Sequence, residues 1–549
     1  MLSEQGLRCA NSIIFHIMVV PNDASRRYAV RSVWILILAS LLFGVTPLSR
    51  CSPLAISQGE AAANPQSSPA VTSPHPVRVQ AQWNHPVTTL RSTPTLQVVV
   101  NPMLRRGSKI HDQTFAALKR MQAGYVRYVP WLPYPRLAVA ELKPPTATST
   151  SWNFRLIDPM MEDFMAATAG NSVIVNFSTI PQWMFKTPET VPYPTDPDRV
   201  DWNYEQGTHL RDPSMKELGD YYARLVSWYT RGGFTDEHGV LRKSPYHYEI
   251  PYWEVLNEVD AEHSMTPQQY TRRYDAIAAA ILKVDPKMKF VGLALASPRD
   301  PQWFEYFLNH AHHRPGIPLD FISYHFYAGT TPSQTIDDWQ YTFFDQADGF
   351  LDRVHFIQAI RARLSPETKT DTDELGVILP NDNRTGETAE QIRSRIPKKY
   401  WNLAGALYAY LYIGLAKEGV DVIGESQLVG YPTQFPSVTM IDWNTGKPNA
   451  RYWVLKLLKD NFSPGDTMVE TGGQSSAIAA QAFQTQRGKK LLLINKRDRA
   501  IQVELGSDAA GGQVETIDPS TGEGSWSTTR LQGTSLTMRP FAVSVVIEK

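Results

Sequence analysis

The sequence predicts an α/β protein: a (β/α)8 TIM barrel with an accessory all-β domain, a β-sandwich. Between residues 96 and 465, eight short apolar runs alternate with helical stretches, which indicates βαβ units and a parallel sheet. From 466 to 549 the apolar runs are shorter and Gly, Ser and Thr turns separate them, as is typical of a sandwich. Eight units favour a closed barrel, and the absence of Gly-x-Gly-x-x-Gly after the first strand argues against a dinucleotide-binding fold.

The predicted barrel strands are short runs, most of them rich in Val, Ile and aromatic residues. They are Leu96–Val100, Tyr125–Val129, Ser172–Phe177, Tyr248–Leu256, Lys289–Leu293, Asp320–His325, Lys369–Leu375 and Val420–Glu425. Strand-like sequence at 77–95 is expected to join the C-terminal sandwich, which would bring both ends of the folded region to one side of the barrel.

The first 76 residues resemble an export signal followed by a linker. Arg26, Arg27 and Arg31 precede a 13-residue apolar run at 33–45, which is shorter than the roughly 20 residues of a membrane span. We expect residues 1–50 to be a signal peptide or, alternatively, an uncleaved membrane anchor, and the protein to be secreted or periplasmic. Residues 51–76 are rich in Ala, Ser, Pro and Gln, which predicts a disordered linker.

Charge and cysteine content exclude several functional classes. The 54 basic and 54 acidic residues give a net charge of zero, so no nucleic-acid partner is expected, nor a stable membrane partner beyond the possible anchor. Cys9 and Cys51 are the only cysteines, and both precede the main body, which therefore has no disulfide framework and no cysteine metal site. We predict no metal and no cofactor, and the sequence leaves the oligomeric state open.

Candidate chemistry lies at the predicted strand ends, where (β/α)8 barrels carry their functional side chains. The fourth strand runs directly into Asn257-Glu258, the sixth ends at His325 and Tyr327, and the seventh ends at Glu374. No Ser-His-Asp order, HExxH motif or phosphate loop accompanies them. Two carboxylates with polar and aromatic neighbours are the groups that glycosidic bond cleavage requires.

Several of these segments resemble glycoside hydrolase clan A. WEVLNEVD at 253–260 and VGLALASP at 291–298 are similar to its fourth and fifth strands, and DFISYHFY at 320–327 is similar to its sixth. TDTDELG at 370–376 resembles the strand that carries the nucleophile, and the passage at 440–458 resembles the one after the last barrel strand. Family 39, the β-xylosidase and α-L-iduronidase family, is the most similar, over about residues 95–465.

The resemblance implies a retaining hydrolase that cleaves O-glycosidic bonds by double displacement, with Glu258 as acid/base and Glu374 as nucleophile. The partner would be a carbohydrate: an oligosaccharide, a polysaccharide or a glycoconjugate. Another clan A glycosidase, of the β-glucuronidase or endo-glycanase type, and a non-catalytic carbohydrate-binding protein on a degenerate barrel remain alternatives. Val259 stands where these families usually have Pro, and residues 424–430 lack the Trp that many members carry at the eighth strand.

Further residues would orient the substrate and the two carboxylates. Asn257 is expected to bind the sugar 2-hydroxyl, and His325 a carboxylate or a sugar hydroxyl. Arg127, with Tyr324 or Tyr327, would donate hydrogen bonds to Glu374. Trp131, Trp183 and Trp443 are candidates for stacking on sugar rings, each weighed against a place in the core, and the insertion at 188–211 would roof the cleft.

Other carboxylates near the strand ends compete with this assignment. Glu425 also ends a strand and is a rival nucleophile. Glu254 lies deeper on the face of Glu258, where a structural ion pair is expected. Strand alternation predicts that Asp371 and Asp373 point to the face opposite Glu374.

Overall fold

The structure is a computed structural model, and it describes residues 75–187, 193–202, 204, 207–380, 382, 387–432 and 434–548. The predicted signal or anchor, both cysteines and nearly all of the predicted linker lie outside the described residues, as does part of the insertion at 188–211. The described chain belongs to the compact unit Ser68–Lys549. Within the described residues, no helix is both long enough and apolar enough to cross a bilayer.

Eight parallel strands form a closed barrel in which neighbours in space are neighbours in sequence. They are β1 (Thr93–Val99), β2 (Val126–Val129), β3 (Val173–Val175), β4 (Tyr252–Glu254), β5 (Lys289–Leu295), β6 (Phe321–Gly329), β7 (Lys369–Ile378) and β8 (Val422–Glu425). Each overlaps one of the eight predicted runs, so the predicted TIM barrel is confirmed.

Helices connect the strands and cover the outside of the barrel. They are His111–Met121, Pro135–Ala138, Asp158–Ala167, Lys216–Thr230, Pro267–Val284, Gln302–Phe307, Ile336–Leu364, Ala389–Arg395, Tyr400–Lys417 and Ala450–Asn461. Local sequence defines their starts: Thr266 caps the helix after β4 in a capping box with Gln269, and Pro267 supplies a preset first turn.

The interior of the barrel has an apolar layer and a polar layer. Five buried apolar side chains from β3, β4, β5, β6 and β8 form a separate cluster with Tyr125; they are Ile174, Tyr252, Val291, Phe321 and Val422. These residues lie at or near the amino ends of their strands. Towards the carboxyl ends the buried inward side chains are polar, including Gln97, Arg127, Glu254 and Ser323. The packed amino end thus supports a polar site at the opposite end.

A bulge in β7 contradicts one prediction. Ser323 and His325 of β6 pair with Asp371 and Glu374, so two residue steps on β6 face three on β7. The extra residue returns Glu374 to the face of Asp373, and both contact Arg127. The expectation of opposite faces is therefore wrong, because alternation assumes a regular strand.

Gly424 of β8 accommodates this bulge. A β-carbon at position 424 would lie 2.9 Å from the carbonyl oxygen and 3.1 Å from the Cα of Asp373. Because that contact is with backbone, a larger residue would have to displace β7 itself. A glycine in β8 therefore lets β7 keep the geometry that turns Glu374 inward.

The accessory domain is all-β, as predicted, and consists of two sheets with their own core. The larger sheet orders its strands as Ser527–Arg530, Gln513–Ile517, Val543–Ile547, Gly488–Asn495, Ile478–Thr485, Thr467–Gly472 and Gln80–Thr89. The smaller sheet contains Val77–Arg78, Ile501–Glu504 and Ser535–Met538. The N-terminal strands thus pair with C-terminal ones.

Hydrogen bonds fix the sandwich against the barrel helices. Asn461, at the end of the last barrel helix, donates to Glu515 at 2.9 Å and accepts from Lys490 at 2.7 Å. Arg497 donates to the carbonyl of Gln340 at 2.6 Å. These contacts come from two barrel helices, Ala450–Asn461 and Ile336–Leu364.

Candidate active site

Glu258 and Glu374 come together at the carboxyl end of the barrel. Each contributes a carboxylate oxygen, and His325 a ring nitrogen, to a group of atoms that all lie within 4.8 Å of one another. The side chain of Glu258 is 24% exposed and that of Glu374 is 10% exposed, so a ligand can reach the acidic pair. Carboxyl groups about 5–5.5 Å apart are the arrangement of retaining glycosidases, whereas inverting enzymes need about 6.5–9.5 Å.

The backbone after β4 aims Glu258 at this position. Glu258 has a φ of 40°, in the left-handed region that residues other than glycine rarely adopt. Its N–H donates to the carbonyl of Ala294 in β5 at 2.8 Å, which ties the turn to the neighbouring strand. Strain of this kind collects at functional sites, where the surrounding structure holds it in place.

Glu374 is held from two sides. Its Oε1 accepts from Nη1 of Arg127 at 2.6 Å, and its Oε2 accepts from the Tyr327 hydroxyl at 2.7 Å. The same hydroxyl lies 2.6 Å from Oγ of Ser426, just beyond β8. A charge-assisted bond and a phenol bond together fix the carboxylate and offset its charge.

His325 lies between the two carboxylates. Its Nδ1 is 3.0 Å from Glu258 Oε1 and 3.4 Å from Glu374 Oε2, and its Nε2 is 3.5 Å from Asp373 Oδ1. Burial of the ring opposes protonation, but Glu374 and Asp373 outweigh it and hold the pKa of His325 well above its ordinary value. The residue is therefore a buried cation that bridges the acids.

Arg127 is the centre of a buried hydrogen-bond network. Besides Glu374, it donates to Gln97 at 2.8 Å and to Asn257 at 2.6 Å, and its Nε lies 3.0 Å from Asp373. Its Nε also donates to Glu254. The guanidinium is a shared counter-charge for three buried carboxylates, two of which also lie beside His325.

Glu254 has the structural role predicted for it. It pairs with Arg127 and accepts from Asn176 at 2.7 Å and from Ser323 at 2.6 Å. Burial raises the pKa of Glu254 to about 7 although Arg127 lowers it. Both of its carboxylate oxygens accept hydrogen bonds from other side chains, so it supports the site from within the barrel interior.

The three candidate tryptophans have different environments. Trp131 donates its indole N–H to Glu262 at 2.5 Å and packs beside Phe435, with the ring centroids 6.1 Å apart. Trp183 donates instead to the carbonyl of Glu141, and the guanidinium of Arg211 lies 4.4 Å from its ring. Trp443 is 1% exposed and belongs to the core, so the stacking role considered for it is wrong.

Two further candidates lie outside the site. The ring of Tyr324 packs against Phe304 and Phe350 on the helix side of β6, so of the two tyrosines only Tyr327 reaches Glu374. Glu425 is fully buried and accepts from Nε of Arg451 at 2.8 Å. It is a structural ion-pair partner, and its candidacy as the nucleophile does not fit the structure.

Glu258, His325 and Glu374 are also the residues that a metal ion could use, since their ligand atoms are close enough to share one ion. The remaining contacts favour an acid–base site. Both oxygens of Glu374 already accept hydrogen bonds, from Arg127 and Tyr327.

Sequence reasoning missed Ser426, Gln97 and Glu262, and it placed Asp373 on the wrong face of β7. Ser426 and Gln97 contact Tyr327 and Arg127, and Asp373 reaches Arg127 through the bulge. Glu262 accepts from Asn257 at 2.9 Å. Only Glu262 had a usable signal, its position four residues after Glu258; the others depend on strand register.

Comparison with protein-family models gives two matches. Residues 221–364 match the model of glycosyl hydrolases family 39, and residues 475–546 match the C-terminal immunoglobulin-like domain of D-apionate lactonase. The part of the barrel from β4 to β6 is therefore similar to glycoside hydrolase family 39. The predicted resemblance to clan A glycoside hydrolases, and to family 39 in particular, is confirmed.

A curated protein and several solved structures are also similar to this chain. A β-xylosidase from Geobacillus stearothermophilus is 23% identical over 190 residues, which cover 35% of this chain and 33% of the relative. The chain therefore matches about a third of that protein's length.

Solved structures extend the likeness over most of the chain. A family 51 arabinofuranosidase from Xanthomonas axonopodis pv. citri superposes with a TM-score of 0.57 at 13% identity, over 86% of this chain and 99% of that one. An α-L-arabinofuranosidase from Thermotoga maritima gives 0.56 at 15% identity over 86% and 99%. A family 30 endoxylanase from Clostridium papyrosolvens C71 gives 0.51 at 12% identity over 86% and 100%. At these identities the likeness concerns the fold.

Proposed function

We propose that this protein is a retaining glycoside hydrolase that uses Glu374 as nucleophile and Glu258 as acid/base. The observation that carries the proposal is the approach of the two carboxylates, within 4.8 Å, at the open end of the barrel. That spacing leaves no room for the water that an inverting enzyme places between its carboxylates, so a direct attack on the anomeric carbon is favoured.

The reaction is a double displacement. The Glu374 carboxylate attacks the anomeric carbon and forms a glycosyl ester, while the proton of Glu258 passes to the departing glycosidic oxygen. The Glu258 carboxylate then takes a proton from water, whose oxygen attacks the same carbon and releases Glu374. Each residue regains its starting state, and the anomeric configuration is retained.

The neighbouring residues hold the reacting groups in place. Arg127 and Tyr327 orient Glu374 for attack and stabilise it again when it departs as an anion. His325 touches both acids and balances their charge as the proton moves. Asn257 offers its remaining amide hydrogen to the sugar 2-hydroxyl, a bond that strengthens as positive charge develops at the anomeric carbon.

The proposed substrates are pentose glycosides. The named relatives are a β-xylosidase, arabinofuranosidases and an endoxylanase, which makes pentose glycosides the first class to test. A uronic acid substrate, as in a β-glucuronidase, is the second candidate within the same mechanism. Export of the protein, proposed from residues 1–50, would give it access to polysaccharides outside the cell.

The test is a panel of aryl β-xylosides, α-L-arabinofuranosides, β-glucosides and β-glucuronides, assayed with wild type, Glu258→Ala and Glu374→Ala. Wild type should cleave at least one substrate, and each variant should lose about 10³-fold or more in kcat. Added azide should rescue Glu374→Ala with an inverted glycosyl azide and Glu258→Ala with a retained one. The reverse pattern would exchange the two roles.

The same panel separates the alternatives. A carbohydrate-binding protein would cleave none of the glycosides, although it would still bind sugars in calorimetry. A metal-dependent enzyme would lose activity in EDTA and regain it with added metal, whereas we expect EDTA to leave the rate unchanged. Unchanged rates in both glutamate variants would refute the proposed mechanism.

A further inference from the structure

A third carboxylate, Glu262, lies beside the candidate acid/base. Its N–H donates to the carbonyl of Glu258 at 2.7 Å, so the two residues are joined through the backbone of one turn. Its Oε1 accepts two hydrogen bonds, from the Trp131 indole at 2.5 Å and from Nδ2 of Asn257 at 2.9 Å. Neither the acid/base nor the nucleophile role assigned above uses this residue.

Glu262 completes a continuous chain of hydrogen bonds across the site. Arg127 donates to Glu374 through Nη1 and to Oδ1 of Asn257 through Nη2, both at 2.6 Å. Because Oδ1 of Asn257 is an acceptor there, its Nδ2 must face Glu262, and the orientation of the amide is fixed from both ends. The chain therefore runs from the candidate nucleophile to the aromatic side chain of Trp131.

Trp131 connects this chain of hydrogen bonds to a group of packed aromatic side chains. Its ring lies 6.1 Å from Phe435 in a stacked arrangement and 5.4 Å from Trp202 edge-on. Ring packing of this kind tolerates sliding and rotation, but a hydrogen bond from the indole nitrogen does not. The bond to Glu262 thus determines which edge of the indole faces the site.

The charge state of Glu262 matters for its neighbours. Burial, reinforced by Glu258, raises the pKa of Glu262 to about 8, and Glu374 acts in the same direction. Its Oε2 is buried and has no hydrogen-bond partner within the described part of the chain. At neutral pH the residue is therefore an uncharged acid that still accepts through Oε1 and adds no negative charge beside the two reacting carboxyl groups.

We propose that Glu262 is a positioning residue that sets the Asn257 amide and the Trp131 indole against the bound sugar. This inference rests on the proposed glycosidase function and deepens it. The sugar 2-hydroxyl would meet Asn257, and the ring next to the scissile bond would meet Trp131. Both contacts depend on one acceptor oxygen, so they form or fail together.

The experiment compares Glu262→Ala, Glu262→Gln, Trp131→Phe and the double variant Trp131→Phe/Glu262→Ala on the best aryl glycoside. Glu262→Ala removes the shared acceptor and should lower kcat/KM about 10- to 100-fold, mainly through kcat because Asn257 acts most strongly in the transition state. Glu262→Gln keeps the acceptor oxygen and should stay within about 3-fold of wild type at pH 6–7. The double variant should lose no more kcat/KM than Glu262→Ala alone, since both changes break the same chain of hydrogen bonds.

The pH profile provides a readout that a purely structural role would not change. Ionisation of wild-type Glu262 adds a negative charge beside Glu258 and Glu374, so kcat/KM should fall as the pH rises through about 8. Glu262→Gln cannot ionise, and its alkaline limb should move to higher pH. Glu141→Gln is the matched control. The Glu141 carboxyl is also buried, but it takes no part in the hydrogen bonds that link Glu374 to Trp131. This variant should leave both the rate and the pH profile unchanged.

Three results would overturn the inference: a Glu262→Ala variant within 2-fold of wild type, multiplicative losses in the double variant, or an unchanged alkaline limb in Glu262→Gln. Melting temperatures show whether Glu262→Ala is folded. If it is not, the pH profile of Glu262→Gln tests the inference in its place. Failure of the proposed function looks different, because Glu258→Ala and Glu374→Ala would then keep their activity.

Discussion

Replacement of Tyr327 by Phe tests how much the hydroxyl contributes to the candidate nucleophile. The change removes one oxygen that donates to Glu374 at 2.7 Å and keeps the ring. Hydrogen bonds to charged groups contribute about 1.5–3 kcal/mol. At about 1.36 kcal/mol per factor of ten, kcat/KM should fall roughly 10- to 150-fold.

The loss should not reach the level of Glu374→Ala, because Arg127 still donates to the carboxylate at 2.6 Å. The assay is steady-state hydrolysis of an aryl glycoside, with the leaving group varied. A carboxylate that is less well oriented for attack should slow formation of the glycosyl ester most, so the loss in kcat/KM should be similar for every leaving group for which that step limits the rate.

Tyr324→Phe is a matched control three residues earlier on the same strand. Its hydroxyl is buried without a hydrogen-bond partner among the residues that the structure describes, and its ring packs against Phe304 and Phe350. Removing that oxygen should leave kcat/KM within 2-fold. Equal losses in the two variants, or none in Tyr327→Phe, would refute the assignment of Tyr327 to the nucleophile.

Three further changes address stability and the roles assigned to buried residues. Arg127→Met removes the counter-charge that three buried carboxylates share and should destabilise the protein by about 3–5 kcal/mol in chemical denaturation. Arg91→Met, which breaks an ion pair whose arginine is 51% exposed, should cost under about 1 kcal/mol. Burial raises the pKa of Glu141 to about 7, above its ordinary value, so the folded state should lose stability as the pH rises from about 4.5 to 7. Glu141→Gln should therefore flatten the pH dependence of the melting temperature. An unchanged slope would contradict this. Trp443→Ala should destabilise the protein by about 3–5 kcal/mol and leave KM unchanged; a raised KM at full stability would return Trp443 to the substrate cleft.

The barrel could be predicted because its signals are local. Each strand is a short apolar run followed by a helix, and eight such units leave few alternatives to closure. The sequence also predicts that the strands before the barrel join the C-terminal sandwich, although not that Gln80–Thr89 pairs there with Thr467–Gly472. Residues at the ends of predicted strands, such as Glu258 and Tyr327, could be selected for the same reason.

Contacts that depend on register or side-chain direction could not be predicted. The bulge in β7 places Asp373 and Glu374 on one face, whereas alternation separates them. Trp443 and Trp131 are both candidates for stacking by sequence, yet one is buried in the core and the other donates to Glu262. A sequence records which side chains exist, but not which of them a fold turns towards the same point.

By itself the sequence determined the sequential barrel, the sandwich at its side and the Asn257-Glu258 pair at the end of β4, because apolar periodicity and strand order are encoded locally. The tertiary structure decided that Arg127 joins Glu374 to Asn257, that Tyr327 and not Tyr324 reaches Glu374, and that Glu262 connects the pair to Trp131. The physical reason is that the barrel closes on itself. Strands far apart in the chain meet around one axis, and a single extra residue in β7 changes which side chains share the interior.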